Sequence, residues 1–305
     1  MTAICGHCGI SRQAHHEALK RLHRQEGLRA VYVNLMTECR SFHPGMGVRA
    51  MYHQLQPEGI GRDAFIVLGL QEGFRLQAPR NPMKTTYPVR YCRYGNLLGE
   101  RTFRGINQVW VSDLFYFPWQ GEHLYVVHIM DVYSRRILGY AAGDHMRAEL
   151  FVEALNLALT VRGIDNYDQG LIHHSDRGSQ YISDAYTSTL EEYGIQISMC
   201  TNVLENAHCE RANGTLKNSY LGYWELTSKA RFPAMVGRAV KNYNDRFHQS
   251  LKLSPIKFEH SLTGIPVKNR EPLKIFTIKR TQIMDTENQL NLFGQQDLPN
   301  PVKLF

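Results

Sequence analysis

The chain has 305 residues, 43% of them hydrophobic, and a formal net charge of +7, enough for one large domain or two to three smaller ones and basic enough to point to a polyanionic partner. The excess charge is local: residues 1–105 hold 15 Lys+Arg against 7 Asp+Glu, and the other 200 hold 20 against 21. No apolar run approaches membrane-spanning length, no secretory h-region follows Met1, and six scattered cysteines suit reduced thiols better than a disulfide framework, so a cytoplasmic protein with no membrane span is expected.

In chain order, Cys5-Gly6-His7-Cys8 with His15 and His16 offers thiolates and imidazoles for zinc, but without the usual zinc-finger spacing. A helix capped by Ser11 is the preferred reading. Residues 12–75 read as several short helices. Leu28 to Cys39 has one apolar face and ends at His43-Pro44, a second helix runs to Leu55, and a third spans Arg62 to Gln71. Short helices joined by a tight turn, with Arg49 and Arg62 nearby, suggest a helix-turn-helix contacting DNA; the plain alternative is a helical bundle with solvated arginines. The stretch 78–105, rich in Pro and Arg, reads as a basic linker.

A second domain begins near Ile106. Gln108 to Tyr116 is a strand with Asp113 inside it, where a charge is costly unless it is paired or binds metal. His123 to Met130 and Ile137 to Ala142 return as two more strands, and Arg147 to Val161 is helical. Leu171 to His174 is a short buried strand delivering Asp176 to its C-terminal end. A helix over Ser179–Tyr193 stopped by Gly194, a strand over 195–199, and a helix from Asn206 past Lys217 follow. Glu210 and Lys217 share one face of that helix. Phe232 to Phe247 is helical again.

HSDRGSQY at 174–181, NA-x-x-E at 206–210 and GTLK at 214–217 resemble the catalytic core of insertion-sequence transposases related to retroviral integrases, most nearly the larger reading-frame product of the insertion-sequence family numbered three. Trp110 to Asp113, Asp131 to Arg135, Pro44 to Arg49 and Tyr243 to Ser250 are similar to the family as well. The resemblance implies an α/β, ribonuclease-H-like mixed five-stranded sheet over 106–260, preceded by a small all-α domain over 1–77. It also implies an Asp, Asp, Glu triad of Asp113, Asp176 and Glu210 holding two Mg²⁺ (or Mn²⁺) ions, with Lys217 on phosphate. Asp131 competes for the first position, but its turn setting suggests a structural role. Arg246 and His248 are expected either to touch DNA or to pin their helix. In the family the cysteine-bearing segment opens a helical domain without metal.

The implied activity is a strand transferase acting on double-stranded DNA at element ends and target, as a homo-oligomer on the nucleoid, with an upstream reading-frame product as a further partner. Glu210 follows Asp176 by 34 positions, a shorter interval than the family's usual one, which keeps open a second reading as a catalytically weakened DNA-binding regulator. Residues 261–305 read as a tail, disordered toward its end. In it Gln289, Leu290, Leu292 and Phe293 resemble the peptide by which bacterial DNA-processing proteins dock on the replicative sliding clamp.

Overall fold

The computed structural model describes residues 7, 11–76, 93–99, 101–163, 170–200 and 206–274. Cys5, Cys8 and the segment Gln289–Phe293 lie outside the described residues, as do residues 201–205, which include most of the loop 200–204 where the shorter interval is expected to fall.

The N-terminal region is three helices, α1 (Arg12–Phe42), α2 (Val48–Leu55) and α3 (Arg62–Gln71). The several short helices expected here begin instead with one helix of 31 residues. Ser11 caps it, its hydroxyl accepting from the Ala14 N–H at 3.0 Å. Between Ser11 and His43 the only breaker is Gly27, which an exposed helix tolerates at a cost of about 1 kcal/mol. Tyr32, Met36 and Cys39, on one face of its last turns, pack with Met46, Val48, Met51 and Phe65 into a small core. Gln56 and Gly59, both at positive φ, turn the chain between α2 and α3.

The remainder is built on a five-stranded sheet. Its strands are β2 (Val109–Trp119), β3 (Glu122–Asp131), β4 (Ile137–Gly143), β5 (Ile172–Ser175) and β6 (Gln196–Met199), following the two-residue β1 (Thr102–Phe103). The spatial order is β4-β3-β2-β5-β6; β2, β3 and β4 are antiparallel, while β5 and β6 join parallel to β2. This is the ribonuclease-H-like arrangement. The helix α4 (Ala148–Arg162), a 3₁₀ turn over Ser179–Ile182 and α5 (Asp184–Glu192) cover one face around Trp110, Ile129, Phe151 and Tyr186. The helices α6 (Ala207–Ser219) and α7 (Phe232–Asp245) cover the other around Val111, Phe115, Leu216 and Val236. The helix expected over Ser179–Tyr193 is interrupted at Ser183, whose extended backbone ends the 3₁₀ turn and starts α5.

The folded core reaches beyond both expected boundaries. Leu98 is buried in it, the Leu97 N–H donates to Ser198 Oγ at 2.9 Å, and β1 pairs with β7 (Leu273–Lys274) after α8 (Pro255–Ser261). Pairings of two residues carry no readable alternation, so the sequence alone places these segments in a linker and a tail. No described helix is long and apolar enough to cross a membrane.

The helical region is seated on the core through α6 and α7. The Gly45 N–H donates to the Ser219 carbonyl at 3.0 Å, His43 Nδ1 meets the Tyr220 hydroxyl at 3.0 Å, and the Gln54 amide bridges Asp245 O and Phe247 N. A Cβ at Gly45 would stand 2.4 Å from Ser219 Cα. Gly45→Ala should therefore loosen the seat while leaving both cores folded. Limited proteolysis should then cut near residues 42–47 faster than in the wild type, with the core fragment intact.

Candidate active site

Strand register sets the centre of the site. Val111 pairs with His174 across the parallel β2–β5 pair. Side chains repeat every two residues along a strand, so Asp113 and Asp176 stand side by side on one face. That face also carries Val109, Val111 and Ile172, and it is covered by α6 and α7. Asp176 follows the end of β5 and is fixed by the Gly178 N–H, which donates to its Oδ1 at 3.0 Å, the local turn typical of Asp. Asp113 accepts from the Leu114 N–H at 2.9 Å and from Asn213 Nδ2 of α6 at 2.7 Å.

The start of α6 is tied to the same strand, since Asn206 Nδ2 donates to the Ser112 carbonyl at 3.1 Å. Cys209 is fully buried beneath the carboxylates, Glu210 is exposed on the first turn, and half-buried Lys217 lies over the rings of Phe115 and Tyr116 at 5.2 and 4.6 Å. The apolar spacing that places Cys209, Ala212 and Leu216 in the core leaves Glu210, Asn213 and Lys217 on the flank toward β2.

The electrostatics are those of an acidic pair short of a cation. Burial, with Asp176 and to a lesser degree Glu210 beside it, pushes Asp113 up to about 7, although the Leu114 and Asn213 hydrogen bonds oppose the rise. Burial also raises Asp176, against the pull of the Gly178 N–H. Burial lowers Lys217, and Tyr116 and Asp113 partly restore it. Neither Asp has a Lys, Arg or His within salt-bridge distance among the described residues. Hard, acceptor-only oxygens in this setting fit a hard divalent ion. The set is not closed into a cage, because no three His, Cys, Asp or Glu side chains among the described residues are close enough to hold one ion. Asp113 and Asp176 are brought together; Glu210 stands off on the helix.

Asp131 is a different kind of aspartate. It is fully buried and accepts from the N–H groups of Asn107, Tyr133 and Ser134 at 2.6, 3.0 and 2.9 Å, with Arg162 Nη2 at 3.5 Å. Glu259 of α8 completes the network, taking Arg136 at 2.6 Å and Arg162 at 2.7 Å. Every lone pair has a use, so its role is to hold the β3–β4 turn.

Arg49 and Arg62 are exposed on α2 and α3, and Arg62 is paired with Asp63 at 2.8 Å. Arg246 and His248 instead turn inward, where Tyr243 packs edge-on against His248 at 4.8 Å. Sequence reading gave no role to Asn213, whose one visible signal is its place on the flank of the helix that carries Glu210, nor to Asn206, although it opens the NA-x-x-E match.

The family description that matches is the integrase core domain, over residues 104–202. Over 264 residues the chain is 31% identical to the insertion element IS600 uncharacterized 31 kDa protein of Shigella sonnei, covering 83% of this chain and 95% of that one. It is 30% identical over 248 residues to the transposase for insertion sequence element IS629 of the same organism, covering 79% and 80%. It is 30% identical over 197 residues to transposase InsF for insertion sequence IS3A of Escherichia coli K12, covering 62% and 67%. The match over residues 104–202, on the five-stranded sheet, gives the chain an integrase core domain. Among proteins that carry it, the chain belongs to the insertion-sequence transposases.

Proposed function

We propose that the chain is a metal-dependent DNA strand transferase that cleaves an element end and joins the freed 3′-OH to a second phosphodiester. It would be the larger reading-frame product of an element of the insertion-sequence family numbered three. The observation that supports this most is the pair Asp113 and Asp176, brought side by side by parallel strands, with Asp113 raised to about 7 and no Lys, Arg or His within salt-bridge distance of either among the described residues.

Asp113, Asp176 and Glu210 would hold Mg²⁺ or Mn²⁺, two ions per site. Such ions supply Lewis-acid stabilisation of charge on the attacking and leaving oxygens. The protein's own groups bind and orient. Asn213 fixes one Asp113 oxygen and Gly178 one Asp176 oxygen, while Lys217, held at the rim by two rings, faces the phosphate. Water or a 3′-OH is the nucleophile, so no covalent enzyme intermediate forms. Double-stranded DNA, further copies of the chain assembled on it, and an upstream reading-frame product are the partners of this reading. Docking on a sliding clamp through Gln289, Leu290, Leu292 and Phe293 would direct joining toward replicating DNA.

The test is end cleavage and joining by the full chain on its own element's ends, with any upstream product supplied. Inactivity in both Mg²⁺ and Mn²⁺ would leave a DNA-binding regulator. Metal binding itself should depend on pH. The ion needs Asp113 ionised, so Mn²⁺ affinity measured by calorimetry should rise about tenfold per unit as pH climbs toward 7, then level off, with proton release on binding. A flat profile between pH 5.5 and 7 would remove Asp113 from the ligand set.

A further inference from the structure

We propose that Arg135, Arg211 and Arg246, with His208 and His248, form a pocket for one DNA backbone phosphate on the flank of α6, an inference that rests on the strand-transferase reading above. These residues come from three segments that the fold draws together. Asn244 near the end of α7 clamps both sides of the Ile137 backbone, accepting from its N–H at 2.9 Å and donating to its carbonyl at 2.8 Å. This sets Arg246 and His248 beside the turn that carries Arg135. On α6, His208 and Arg211 are three apart and share a face.

The arginines of this cluster have no carboxylate partner, although Arg246 hydrogen-bonds the Tyr220 hydroxyl. Arg29, Arg62, Arg136 and Arg162 each pair with a carboxylate. Among the described residues, none lies within salt-bridge distance of Arg135, Arg211 or Arg246. Arg135 Nη1, Arg246 Nη1 and His248 Nε2 are buried with no hydrogen-bond partner. Arg135 also sits at a φ of 61°, a backbone state costly for a residue with a Cβ and concentrated at functional sites. Its neighbour Arg136 is meanwhile committed to Glu259.

The field within the cluster is positive. Burial, then Arg246 and Arg135, hold His248 down to about 4. Unpaired buried donors of one charge sign are costly unless an anion joins them. The planar forks of arginine suit phosphate oxygens in particular. The pocket shares α6 with Glu210 and Asn213, so a strand gripped here would be held along the helix that borders the carboxylates.

The experiment is fluorescence anisotropy of the full chain on a duplex carrying an element end, across a series of salt concentrations. Arg135→Gln should flatten the slope of log affinity against log salt by about 0.9, the contribution of one phosphate contact. Arg135→Lys should keep most of that slope, and Lys229→Gln, whose ammonium pairs with Glu122, should change it less. Thermal melting checks that each variant is folded; should Arg246→Gln disturb the seam with the helical region, Arg135→Gln alone decides. An unchanged slope in Arg135→Gln with wild-type binding intact would overturn the pocket, as would an equal loss in Lys229→Gln. If inorganic phosphate raises the melting temperature of the wild type but not of Arg135→Gln while the DNA slope is unchanged, the pocket serves a free anion instead. Wild-type protein that binds no DNA would sink the strand-transferase reading itself.

Discussion

Asp113→Asn should abolish end cleavage and joining in Mg²⁺ and, at the same time, make the protein more stable. Losing one ligand of a metal that stabilises several kcal/mol of transition-state charge corresponds to a fall of about three orders of magnitude or more. Asp176→Asn and Glu210→Gln should do the same, and the three losses should not add, because the ligands act as one unit. DNA binding should survive, since these residues carry negative charge toward a polyanion. The gain in stability follows from the ionisation of Asp113. Burial and the neighbouring acids push its carboxyl up to about 7 in the folded chain, well above the ordinary carboxylate range, so ionisation opposes folding. That opposition is small below pH 4, grows between 4 and 7, and is constant above 7. The gap corresponds to about 4 kcal/mol as an upper bound, part of which Asn will not recover because its NH2 replaces one of the two oxygens that accept from the Leu114 N–H and from Asn213 Nδ2. Thermal melting of wild type and variant at pH 4.5 and 7.5 checks the sign. The melting gap should open with pH, and a variant less stable at pH 7.5 would contradict the account.

Asp131→Ala should have the opposite physical result. It strips the acceptor from three buried N–H groups, each costing about 1–3 kcal/mol when left unpaired. It also removes a carboxylate beside Arg162, whose side chain is 7% exposed; breaking a buried pair costs about 3–5 kcal/mol. Together these approach the whole stability of an ordinary domain. The expected outcome is little soluble folded protein, and Glu259→Ala should fall in the same class because Arg136 and Arg162 both lose their main partner. Urea midpoints of whatever folds, or the soluble yield, give the measurement. If Asp131→Asn melts like the wild type yet joins no DNA, the first catalytic carboxylate moves from Asp113 to Asp131.

The sheet and its flanking helices were readable because their patterns are local. An apolar run holding Ser112-Asp113 marks β2, alternation marks β6, an apolar pair running into His173-His174-Ser175-Asp176 marks β5, and helical spacing marks α4 and α6. Asp113 stood out as a charge within an apolar strand, and Asp176 as a carboxylate at a strand end. What escaped the sequence depends on distant partners. Nothing near Asn213 says that its amide will reach a strand 100 positions earlier, nor does Asp131 announce Arg162 and Glu259. The continuity of α1 was lost because its N-terminal turns lie exposed and carry no apolar stripe to read. The pairing of Thr102-Phe103 with Leu273-Lys274 joins two segments with no pattern of their own.

The seat of the helical region on Ser219 and Tyr220 gives α6 a mechanical standing. This helix is a rod of about 20 Å, with Glu210 on its first turn and Lys217 on its last, and its far end rests on Gly45 and His43. A rod that short does not bend, and Gly45 leaves no slack for sliding, since even one added carbon would overlap Ser219. Any tilt of the three N-terminal helices must therefore break that seat or swing the rod about its packed middle, where Ala212 and Leu216 act as the fulcrum. The acid at the opposite end moves with it, so whatever grips α2 and α3 has leverage on how far Glu210 stands from the two aspartates.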